Sequence, residues 1–154
     1  MNRKLFTSLF TVILILGTAF IVTSCEDITE DFVQTEWEIE NFTVNETQWG
    51  WNDNLNRWEA KRPLPYIDDF IYEDGVVLGY VFIGTQGIDE VQIPLPYIRS
   101  YLINDGQNLI DFTETIGYEY SLQRKEVTFF IEPSDGFQDQ DARQNYNFRI
   151  AMIW

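Results

Sequence analysis

An antiparallel all-β sandwich of about eight or nine strands is predicted for residues 35–154, on three observations. Apolar and polar residues alternate along most of this stretch, the period-two pattern of strands with one wet face. Turn residues interrupt the alternation at the spacing of a sandwich or barrel. Helical periodicity is nearly absent, with a single helical turn expected around Ile67 to Tyr72.

The elements follow in chain order. Trp37 and Ile39 share a face, and Phe42 and Val44 share one in the opposite phase, so a bulge is expected near Glu40-Asn41. Residues 48–61 read as a hairpin that turns at Asp53-Asn54-Leu55-Asn56. Residues 76–83 form a mostly apolar strand between Gly75 and Gly84. Residues 88–93 form another, closed by Pro94 and Pro96, which cannot donate to a ladder. Asn104-Asp105-Gly106 is a turn, because Asp-Gly supplies the backbone angles a tight hairpin needs. A strand over 109–116 follows. Tyr118, Tyr120 and Leu122 then alternate, turn near Arg124-Lys125, and return as Val127, Phe129 and Ile131. Residues 134–143 are a polar loop. Tyr146, Phe148, Ile150, Met152 and Trp154 line one face of a last strand, which pins the C-terminal end into a sheet.

Ahead of the sandwich, Arg3-Lys4 precede a charge-free apolar run over 5–22, the layout of an export signal. The run ends in Val22-Thr23-Ser24-Cys25, which resembles the lipobox of bacterial lipoproteins. That resemblance implies cleavage before Cys25 and lipid on its sulfur. The expected organisation is a signal peptide over 1–24, a lipid attachment site and acidic tether over 25–34, and the sandwich over 35–154. Two other readings compete: the run is near the lower length limit of a membrane-spanning helix, and Cys25 could be an ordinary buried thiol. Cys25 is the only cysteine, which excludes an intramolecular disulfide.

Acidic residues directly after the cysteine, Glu26-Asp27 and Glu30-Asp31, resemble the surface-export signal of Bacteroidota lipoproteins. Trp49-x-Trp51, the run 69–75 leading into Val76-Val77-Leu78-Gly79-Tyr80, Pro94-Leu95-Pro96-Tyr97 and Phe148-Arg149-Ile150 resemble a group of Bacteroidota surface lipoproteins with a β-sandwich domain. This resemblance implies an outer-membrane, lipid-anchored, surface-exposed domain, and it carries over no site residue.

Charge narrows the partners. Without residues 1–24 the chain keeps 8 basic and 25 acidic residues, a net of −17. Such a field repels phosphate backbones, so nucleic-acid binding is not expected. The acidity reads as solubility for an exported domain, or as an affinity for divalent cations.

Two constellations could carry chemistry. Pairing the 48–61 hairpin about its turn sets Trp51 against Trp58 and Trp49 against Ala60, all on one face, with Arg57, Glu59 and Lys61 on the other. The indoles are either core, each burying about 150–250 Å², or a platform on which sugar rings stack beside Asp53, Asn54 and Asn56. Because the opposite face looks solvated, the core reading is the stronger. In the loop, Asp135, Asp139 and Asp141 supply oxygen ligands that suit calcium, although their spacing is not that of an EF-hand. A solvated surface loop is the simpler reading.

Catalysis finds little support. The chain has no histidine, which removes the commonest acid–base residue and the usual partner of a serine or cysteine nucleophile. It also has no glycine-rich phosphate loop. The expected function is a non-catalytic binding or accessory module at the cell envelope, with a glycan as one candidate ligand. A structural lipoprotein that contacts other envelope proteins, and a carboxylate-based glycoside hydrolase, are the alternatives.

Overall fold

A computed structural model describes residues 35–104 and 109–154. The expected signal peptide, Cys25, the expected acidic tether and the expected Asp105-Gly106 turn lie outside the described residues. Among the described residues there are nine strands: β1 (Trp37–Val44), β2 (Gly50–Asn52), β3 (Arg57–Pro63), β4 (Val76–Ile83), β5 (Val91–Pro94), β6 (Tyr97–Asn104), β7 (Leu109–Ser121), β8 (Glu126–Pro133) and β9 (Tyr146–Ile153). They form two antiparallel sheets, a four-stranded one in the order β1-β9-β4-β5 and a five-stranded one in the order β2-β3-β8-β7-β6. This is the all-β sandwich that the alternation predicts.

Alternation places the core. In β9, Tyr146, Phe148, Ile150 and Met152 point inward and are buried, while Asn147, Arg149 and Ala151 point out. In the five-stranded sheet the inward set is Trp58 and Ala60 from β3, Val127, Phe129 and Ile131 from β8, and Ile116 from β7. Phe129 and Phe148 join the two sheets as a parallel stack, 4.1 Å between ring centroids. A second tie is Tyr118, whose hydroxyl donates to the Val77 carbonyl at 2.7 Å. Its ring occupies the space where a Cβ on Gly79 would stand, so β4 needs glycine there.

Among the described residues the one α-helix, α1 (Asp69–Glu73), is a single turn. Asp68 caps it, its carboxylate accepting from the Ile71 N–H at 2.8 Å. A 3₁₀ turn over Glu46–Gln48 links β1 to the hairpin, and the Leu95–Pro96 peptide between β5 and β6 is cis.

Three expectations about the strands change. No bulge interrupts β1: it pairs with β9 in one unbroken register from Trp37↔Ile153 to Val44↔Tyr146. Trp37 and Ile39 therefore face outward, and Glu38 and Glu40 face the sheet interior. β5 begins at Val91, not at 88, because Gly84 and Gly87 adopt positive φ in the turn between β4 and β5. The segments 109–116 and 118–122 are one strand, β7, in which Gly117 sustains the alternation and Phe130 lies across its bare Cα.

Candidate functional site

The hairpin pairs as its sequence predicts, Trp51 against Trp58 and Asn52 against Arg57. Burial then separates the indoles. Trp49 is 4% exposed and Trp58 is 3% exposed, so both belong to the core. Trp51 is half-buried and meets Trp58 edge-on at 5.2 Å. A three-indole platform is thereby corrected, because two of its three rings have no free face. Trp51 and Asp53 line only a shallow depression over the hairpin, beside Asn52 and Glu59. The opposite face of the hairpin is not fully solvated either. Arg57 is buried there, bonded to Glu59 and Glu119, with its guanidinium 4.4 Å from the centre of the Phe130 ring.

The buried tryptophans do act on the second sequence candidate, the 134–143 loop, which in the structure runs over 134–145 between β8 and β9. The Trp58 indole N–H donates to the Asp139 carbonyl at 2.8 Å, and that of Trp49 donates to the Gln144 carbonyl at 3.0 Å. Arg143 from the same loop stands 4.9 Å over the Trp58 ring. Two indoles whose rings lie in the core thus use their polar edges to fix a loop that has no strand ladder of its own.

Held this way, the loop forms one wall of a cleft of about 350 Å³ against β6 and β7. Tyr101, Leu102 and Phe112 give it apolar surface, and Glu114, Asp139, Asp141 and Gln144 give it oxygen acceptors. The Tyr101 and Phe112 rings are tilted neighbours, 6.3 Å apart.

At the base of the cleft, Arg99 of β6 faces Glu114 of β7 on the inner side of the sheet. Glu114 is 2% exposed, and its carboxylate accepts from Arg99 Nε at 2.8 Å. A carboxylate that far from water needs a partner, since an unpaired buried charge costs several kcal/mol. Arg99 lies over both Tyr101 and Tyr146, 5.4 and 5.5 Å from their ring centres. The Tyr101 hydroxyl donates to the same Glu114 oxygen at 3.3 Å. Burial pushes the Tyr101 phenol pKa up, with Arg99 opposing and Glu114 adding. Tyr146 is raised more strongly, again chiefly by burial. Its buried hydroxyl has no hydrogen-bond partner among the described residues. Both phenols stay protonated across physiological pH, and Tyr101 uses its proton in the bond to Glu114.

The three loop aspartates do not converge. Asp139 and Asp141 both reach the cleft, whereas Asp135 accepts from the Phe137 N–H in its own turn. Asp139 also accepts from the Asp141 N–H at 2.9 Å, a local turn bond. Among the described residues no group of three or more acidic, His or Cys side chains is placed to hold a metal ion. The calcium reading of Asp135, Asp139 and Asp141 is corrected accordingly.

Sequence reading missed β6, and with it Arg99 and Tyr101. The available signal was the alternation Tyr97-x-Arg99-x-Tyr101; the β6–β7 register then sets Arg99 opposite Glu114. Among the described residues no helix is long and apolar enough to cross a membrane. Compared with protein-family models, curated proteins and solved structures, the chain finds no match.

Proposed function

We propose that this chain is a non-catalytic binding module of the cell envelope, tethered to the outer membrane by lipid on Cys25, that takes a glycan in the cleft between β6–β7 and the 134–145 loop. The observation that carries the reading is the composition of that cleft. Tyr101 and Phe112 offer ring faces to the C–H side of a sugar. Asp139, Asp141 and Gln144 offer acceptors to its hydroxyls. Arg99 pairs with Glu114, the one fully buried acid among the described residues, and the pair fixes the floor of the cleft. The lipid anchor is supported by Arg3-Lys4, the apolar run and the Ser24-Cys25 junction, and surface display by the acidic residues Glu26-Asp27 and Glu30-Asp31 that follow.

Binding of the full-length lipoprotein to a glycan array tests the site. Tyr101→Ala and Phe112→Ala should each abolish the signal, while Trp51→Ala should leave it. Binding that survives Tyr101→Ala, or no binding to any glycan, overturns the reading. For the anchor, Cys25→Ser should eliminate labelling by a palmitate analogue, and labelling that persists contradicts it.

A further inference from the structure

The outer face of the four-stranded sheet is unlike the rest of the molecule. Its outward positions come from Trp37, Ile39, Asn41 and Thr43 in β1, and from their register partners in β9 and β4. Together with Gln92 and Pro94 of β5 they include no acid and one base, Arg149. The chain carries 25 acidic residues, so an acid-free sheet face is a departure that needs a cause.

The face is also divided along the strands. One half is polar and capped by Arg149, which bonds Asn41 and Gln92 and lies 5.0 Å over the Phe82 ring. The other half is wholly apolar. Trp37, Ile153 and Val76 form one row across the three strands, and Ile39, Ala151 and Leu78 form the next. Trp37 is 66% exposed, Val76 51%, and Ile39 and Leu78 38% each. β1 has its usual polarity reversed, with Trp37 and Ile39 in solvent and Glu38 and Glu40 turned inward. Removing that apolar surface from water against another phase is favourable in proportion to its area.

Position selects the occupant. The apolar half lies where the chain enters the sheet: Glu36 exchanges both backbone hydrogen bonds with Trp154, and Trp37 follows directly. Residues 26–34 span at most about 30 Å when fully extended. A lipid on Cys25 therefore keeps this end of the domain close to the bilayer. A tryptophan rimming an uncharged apolar patch suits the interface, where indoles concentrate. The acid-bearing surfaces are repelled by anionic headgroups, and this face is not.

We propose that the apolar half of this face rests on the lipid surface, so that the domain lies against the membrane with its four-stranded sheet down. The inference depends on the lipid-anchor reading of Cys25. The test is quenching of tryptophan fluorescence in the full-length lipoprotein, reconstituted into phosphatidylcholine vesicles with brominated acyl chains. Flotation and the mass of the Cys25 peptide are measured on the same sample. The expected result is a modified Cys25 peptide, flotation with the vesicles, and quenching that is lost in Trp37→Phe and reduced in Leu78→Ser. Ile88→Ser, at an exposed site in the β4–β5 turn, should keep it.

A lipidated, floating protein with no bromolipid quenching of Trp37 overturns the proposal and leaves the anchor standing. Trp37 shielded from both bromolipid and aqueous acrylamide means a protein partner or a second copy covers the patch, which also overturns it. An unmodified Cys25 peptide removes the anchor reading and this proposal together.

Discussion

The inner face of the five-stranded sheet has two ends with opposite contents. At the β3–β8 end, Trp58, Ala60, Val127, Phe129 and Ile131 are all 3% exposed or less, and Phe129 stacks on Phe148 of the opposite sheet. At the β6–β7 end, the equivalent inward positions hold Tyr97, Arg99, Tyr101 and Glu114. Glu114 is as deeply buried as the apolar residues, yet it is charged. Apolar burial is non-directional and stabilises in proportion to area. A buried ion pair adds little net stability, but it tolerates few geometries. The dry end holds the sandwich together, and the charged end holds one arrangement of a cleft.

That contrast can be broken first at the dry end. Phe129→Ala removes one ring of the inter-sheet stack and leaves a cavity that the sheets cannot readily close. Its expected cost is about 3–5 kcal/mol, read from urea unfolding. A cost below about 1 kcal/mol would mean that the stack is not the main bond between the sheets.

At the charged end the expected cost is nearer about 3 kcal/mol for Glu114→Leu, because Arg99 is left buried without its counter-charge. Adding Arg99→Met should recover most of that stability, since an apolar pair of similar volume replaces the ions. Glycan binding should not return with it, because the pair that fixes the floor of the cleft is gone. If the double variant is no more stable than Glu114→Leu alone, the pair is not acting through charge compensation.

How much of this was legible follows from the same contrast. Period-two alternation marked the dry strands, because an apolar inward set needs no partner to be recognised: Tyr146, Phe148, Ile150 and Met152 in β9 are all buried. The 48–61 hairpin was legible to the register, since its turn fixes which residues oppose. The cleft was not, because Arg99 and Glu114 look like surface residues until their strands are paired. The tryptophans and the aspartate loop read from sequence as two unrelated candidates, because nothing local links them: Trp49 and Trp58 reach the loop through indole N–H groups only once the sheets are packed. β1 misled for a further reason. Its outward residues are apolar and its inward ones acidic, so the usual rule of apolar residues inward demanded a bulge that the unbroken pairing with β9 does not contain.

The smallest expected effect concerns those inward acids. Burial, and secondarily the nearby charge of Glu38, raise the Glu40 pKa above the ordinary carboxylate range. One of its oxygens is buried with no hydrogen-bond partner among the described residues. A raised native pKa means the folded chain binds more protons than the unfolded one across the interval between the two values. Stability from this group is therefore complete at acid pH, below the unfolded value, and is lost as pH rises through the native value. Glu40→Gln removes the titration. The variant should melt above the parent at pH 7, and the gap should close as the pH falls below the ordinary glutamate range. Thermal unfolding followed against pH measures it. A gap that widens toward acid would mean that Glu40 is stabilising as an anion, and that the reversed polarity of β1 carries no cost inside the sheet.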